Sequence, residues 1–123
     1  MKPEKPVRWM GSARRDLAAF SEDVRRAAGH HLRLVQNGAM PEDWKPLETV
    51  GPGTYEMRVK TPRPNPAQYR ILFVAKFEEA VYVLHAFEKK SRKTSRHDIE
   101  LGRIRYAEML ADRNERRRKA TGR

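Results

Sequence analysis

Hydrophobic positions recur at two different spacings in the two halves of this chain. Between residues 12 and 36 the period is three to four: Leu17, Phe20, Val24 and Ala28 form one stripe of a 3.6-residue helix. Ser12 stands as one N-cap. Ser21, followed by Glu22 and Asp23, stands as a second, with the acids at the positive end of the helix dipole. The spacing therefore predicts two helices, over about 13–20 and 22–36, the second ended by the left-handed residue that Asn37-Gly38 supplies. Arg25, Arg26 and Arg33 fall on its outer side. From residue 54 the period drops to two. Tyr55, Met57 and Val59 alternate with Glu56, Arg58 and Lys60, as in a half-buried strand. Tyr69–Phe77 is apolar on both faces except for Arg70 and Lys76, which marks a central strand, and Ala80–Phe87 is again apolar on both faces.

The remaining segments fill in the connections. Residues 7–10 read as a short first strand, stopped by Gly11-Ser12. Residues 39–53, with Pro41, Pro46, Gly51, Pro52 and Gly53, read as a connector pinned by Trp44 and Leu47. Three prolines in 61–68 remove ladder donors, so that stretch reads as a flexible, projecting hairpin loop. Glu78-Glu79 makes the next turn. A last helix, capped by Thr94 or Ser95, is expected to turn Ile99, Ile104, Ala107 and Leu110 inward. The predicted order is β-α-α-β-β-β-α. This is an α+β fold: an antiparallel sheet with helices packed on one face and the other face partly open. Residues 1–111 form the single expected domain, and 112–123 a basic, disordered tail.

Composition narrows the class of function. The chain has 123 residues, 38% hydrophobic and 35% charged, as in a soluble globular domain. No cysteine is present, which removes disulfides and thiolate chemistry. No apolar run approaches a membrane span and no h-region follows the first charges, so the expected location is the cytoplasm. The net charge of +11 attracts polyanions. Six cations against two acids in 112–123 leave +7 on the rest, so the body is basic as well as the tail.

The richest stretch is 81–98, where an apolar strand containing His85 runs directly into Lys89, Lys90, Arg92, Lys93 and Arg96. A rigid strand end carrying that charge suggests a site for phosphates. Lys60 and Lys76 are lesser members of the same set. His85 titrates near neutrality and suits general acid or base work, or else it is a hydrogen-bonded core residue. His30, His31 and His97 read as surface or helix-terminal residues, and no histidine–carboxylate spacing indicates a metal site. No cofactor is implied.

Lys45-Pro46-Leu47, Gly53-Thr54-Tyr55-Glu56-Met57-Arg58, Tyr69-Arg70-Ile71-Leu72-Phe73-Val74 and the run from Val81 to Thr94 resemble the phage-derived, HigB-like branch of the RelE/ParE toxin superfamily. The resemblance spans about residues 7–110. It implies a RelE-like fold and a type II toxin, a metal-independent, ribosome-associated endoribonuclease that cleaves mRNA. It also implies a helix-turn-helix antitoxin as partner. Such cleavage needs a base for the 2′-hydroxyl, an acid for the 5′-oxygen, charge stabilisation at phosphorus and in-line positioning. Arg58 and Arg70, on neighbouring strands, fit phosphate clamping. His85 and Lys90 complete the candidate catalytic set. Lys60, Lys76, Lys89, Arg92, Lys93 and Arg96 are the candidate RNA contacts. Two other readings share the fold: a ParE-like toxin that inhibits gyrase without cutting RNA, and a non-catalytic nucleic-acid-binding protein.

Overall fold

A computed structural model describes residues 3–60 and 68–122. The elements are β1 (Val7–Trp9), α1 (Ala13–Ala18), α2 (Glu22–Gln36), β2 (Trp44–Pro46), β3 (Thr54–Val59), β4 (Gln68–Val74), β5 (Val81–Lys89) and α3 (Arg96–Thr121). The strands form one five-stranded sheet in the order β1-β5-β4-β3-β2. Among the described residues no helix is long and apolar enough to cross a membrane. The expected hairpin loop at 61–68 lies outside the described residues except for Gln68, which opens β4.

Three expectations are corrected. The sheet is mixed, because β1 runs parallel to β5 while the other pairs are antiparallel. The connector contains a strand: Trp44–Pro46 pairs with Tyr55–Met57 at the sheet edge, where a proline withholds no ladder donor that the sheet requires. Trp44 remains 39% exposed, but its ring meets Tyr55 edge-on at 5.2 Å. Finally, the helices occupy both faces. α1 and α2 bury Ala13, Val24, Ala28, Leu32 and Val35 against Met57, Val59, Ile71, Phe73, Val81 and Val83. α3 covers the opposite face, where Tyr106 and Met109 pack with Val50, Leu72, Val74, Tyr82 and Leu84.

The rotation of α3 also differs from expectation. Ile99 packs against the core, but Ala107 is exposed, Ile104 is 57% exposed and Leu110 38%. Gly102, Arg105, Tyr106 and Met109 face inward instead. Polar groups make the reason plain. Arg105 donates to the Leu84 carbonyl at 3.1 Å and to Ser12 Oγ at 2.8 Å, and Tyr106 Oη donates to the Pro52 carbonyl at 2.6 Å. A count of apolar residues places such an arginine on the solvent side.

Within the basic segment, α3 continues as far as Thr121. Arg116 with Asp112 and Arg118 with Glu115, each at 3.0 Å, offset the repulsion among its cations. Arg113 reaches back to Glu79 and lies 3.6 Å from the centre of the Phe77 ring, tying this half of the helix to the β4–β5 turn.

Candidate nucleic-acid interface

Pairing register decides which side chains share a surface. Arg58 lies directly opposite Arg70, and Arg70 opposite Phe87. The neighbouring rows on the same face are Lys45–Glu56–Leu72–His85 and Gln68–Lys89. A β-bulge makes this possible. Leu72 pairs with His85 but Phe73 pairs with Val83, so Leu84 is an extra residue, and Arg105 takes its carbonyl. Without the bulge, alternation from Val83 would turn His85, Phe87 and Lys89 toward α1 and α2. With it, they join Arg58 and Arg70 on the α3 side.

α3 starts level with His85 and runs toward Val74 and Tyr82, which leaves the Arg58–Arg70–Lys89 end of the face beyond the helix. This end is a charged cluster with its own internal order. Arg70 is 3% exposed and Glu56 is fully buried. Arg70 Nε lies 3.4 Å from Glu56 Oε1, while its Nη atoms donate to Gln68 Oε1 at 2.7 Å and to the Tyr69 carbonyl at 3.1 Å. Burial pulls the Arg70 pKa down, Glu56 pushes it back, and Arg58 lowers it further. Glu56 is also met by Lys45 Nζ at 3.6 Å and accepts from Thr94 Oγ1 at 2.6 Å.

Arg58 is more accessible, with its side chain 33% exposed and Asp43 at 3.4 Å. Lys60, past the end of β3, shares Asp43 at 3.7 Å. Lys89 is half-buried at the end of β5, and its pKa is lowered, first by burial and then by Arg70, with Lys45 and Arg58 adding to the effect and Glu56 opposing it. Lys45, Arg58, Lys60, Arg70 and Lys89 thus stand against two carboxylates, Glu56 and Asp43. The surplus of positive charge is what a phosphodiester would complete.

The remaining candidates divide. Lys90, Arg92 and Lys93 are exposed on the segment that follows β5, and Arg96 is exposed as the first residue of α3. Lys76 does not join them. It lies beyond the opposite end of β4, with its Nζ 3.5 Å from Tyr106 Oη and 5.2 Å from the Phe77 ring centre.

His85 is 5% exposed, and its Nε2 is 2.7 Å from Asp98 Oδ1. Burial lowers its pKa against the opposing pull of Asp98, and its ring stacks on Phe87 at 4.6 Å. Asp98 also accepts from Ser95 Oγ at 2.6 Å, and its own N–H donates to the same hydroxyl, the N-cap of α3. The histidine thereby joins β5 to the first turn of α3.

Sequence reading missed Lys45, Glu56, Asp43, Thr94 and Asp98. One signal was available for Glu56: an arginine inside an apolar strand requires a counter-ion, and Glu56 is the one acid in β3.

A search of curated proteins finds no match to this chain. The family model described as phage derived protein Gp49-like (DUF891) matches residues 15–107, which takes in most of α1, all of α2, strands β2 to β5 and the first half of α3. The chain belongs to this phage-derived Gp49-like family, a toxin-like family of the RelE/ParE type.

Proposed function

We propose that this protein is the toxin of a type II toxin–antitoxin pair and acts as a metal-independent endoribonuclease on ribosome-bound mRNA in the cytoplasm, neutralised by a helix-turn-helix antitoxin. The observation that supports this most is the Arg58–Arg70 pair set beside Lys89 at the end of the sheet face that α3 leaves uncovered. In this reading Arg58 exchanges Asp43 for a phosphate oxygen, as its exposure and long ion pair permit. Arg70, fixed by Glu56 and Gln68, supplies a preorganised positive field behind it.

The 2′-hydroxyl gives its proton to solvent water as its oxygen attacks phosphorus, the bond from phosphorus to the 5′-oxygen breaks, and a 2′,3′-cyclic phosphate remains. Lys89, whose pKa is lowered, passes a proton to the departing 5′-oxygen. Lys60, Lys90, Arg92, Lys93 and Arg96 bind the RNA backbone. His85, held by Asp98, positions α3 against β5 and does not touch RNA.

Purified protein added to translating ribosomes with end-labelled mRNA tests the proposal. Codon-phased cuts are expected, reduced by about 10²-fold or more in Arg58→Ala and Lys89→Ala and retained in Lys76→Ala. Intact mRNA together with inhibited DNA supercoiling would replace this reading with the gyrase-inhibiting one. RNA binding with neither effect would leave a non-catalytic binding protein.

A further inference from the structure

Next to Asp43 in the chain, and outside the proposed RNA site, Glu42 converges with two side chains of α2. His30 and His31 lie in the second half of α2, and Glu42 lies in the segment that leads into β2. One ligand atom from each lies within 4.8 Å of the others, and His30 Nε2 is 4.0 Å from Glu42 Oε1. His31 is half-buried, and its Nδ1 is sequestered from solvent with no hydrogen-bond partner. An imidazole nitrogen in that state requires an explanation.

We infer that His30, His31 and Glu42 form a binding site for a transition-metal dication of the Zn²⁺ class, which fastens the connector before β2 to helix α2. Two imidazoles and a carboxylate are the donor set of three-ligand zinc sites, with water in the fourth position. Ligand bonds of about 2.0–2.2 Å in a tetrahedron set donor atoms roughly 3.4 Å apart. The donors now stand 4.0 Å apart for His30 and Glu42 and within 4.8 Å for the set, so they must draw together by roughly 1 Å, and the side chains that must rotate are the exposed ones. His30 is 62% exposed and Glu42 75%, so neither is held in place by packing. The least exposed of the three, His31, also carries the orphaned nitrogen.

An ion here would close a loop from α2 to Glu42, one residue before the aspartate that holds Arg58 and Lys60. It would do so on the protein itself, whatever the fate of RNA.

Titration of the untagged full-length chain with Zn²⁺, followed by calorimetry and by thermal unfolding, tests the inference. One equivalent is expected to bind and to raise the unfolding temperature, and Co²⁺ in its place is expected to give the visible bands of a four-coordinate site. His30→Gln and Glu42→Gln replace exposed side chains and leave the fold intact, and each is expected to weaken binding at least about tenfold. His31→Ala is expected to abolish it. Absence of a one-to-one isotherm, or an isotherm unchanged in both His30→Gln and Glu42→Gln, would overturn the inference. Neither result depends on nuclease activity.

Discussion

Replacing Glu56 by glutamine keeps the shape of the side chain and the bond from Thr94 but removes the one negative charge buried among Arg70, Lys45, Arg58 and Lys89. At an effective dielectric of about 20, a unit pair 3.4 Å apart is worth roughly 5 kcal/mol before desolvation is counted. Removing one partner of a buried pair costs about 3–5 kcal/mol in proteins, because the other charge stays behind unpaired. Arg70 is that charge, and its side chain is only 4% exposed. Lys45 contributes less, since its side chain is 38% exposed and its pairing is screened by water. The expected loss for Glu56→Gln is therefore about 3 kcal/mol, a large part of the roughly 5–15 kcal/mol by which a domain is stable.

Urea unfolding of Glu56→Gln, Arg70→Gln and the double variant measures it. The double variant is expected to be more stable than the sum of the single changes predicts, by at least about 1.5 kcal/mol. Lys45→Ala is expected to cost under about 1 kcal/mol. A Glu56→Gln penalty below about 1 kcal/mol, or strictly additive single changes, would refute the claim that Glu56 is the counter-ion that holds Arg70 in the sheet.

Three further outcomes are expected. Ser95→Ala removes the hydroxyl that accepts from Asp98 N and donates to its carboxylate. It is expected to cost about 1 kcal/mol in chemical denaturation; a variant indistinguishable from the parent would show that the cap is idle. Glu79 is held at a pKa of about 2, first by Arg113 and also by Tyr82. A depressed carboxylate stabilises the fold above its unfolded pKa of about 4.5, and that contribution is lost as pH falls through about 2. Arg113→Ala is therefore expected to flatten the stability–pH curve between those limits, as read by denaturant midpoints. At Gly51, an added Cβ would lie 2.6 Å from Tyr106 ring atoms, and that ring is held by the Pro52 carbonyl. Gly51→Ala is expected to lower stability by about 1–3 kcal/mol, and a thermal midpoint unchanged within error would contradict that packing.

Sequence periodicity located what depends on neighbours in the chain. Helix α2 falls at 22–36 as its stripe predicts, and β3, β4 and β5 begin within a residue of their expected starts. An amphipathic period is written into consecutive residues, and so are the caps at Ser95 and Gly38 (φ 90°). The basic surface and the apolar strand running into cations are equally local facts. What the chain alone does not carry is which partner each face meets. Glu56 alternates like a solvent-facing residue, yet it is fully buried, because Arg70 on the next strand and Thr94 nearly forty residues away close over it. α3 turns Arg105 inward and Ile104 outward because a carbonyl left by a bulge in β5 needs a donor more than the core needs another isoleucine. The same bulge carries Phe87 and Lys89 across to the face of Arg58 and Arg70. A single extra residue opposite Leu72–Phe73 thus assembles the charged cluster, and only the pairing of strands distant in sequence reveals it.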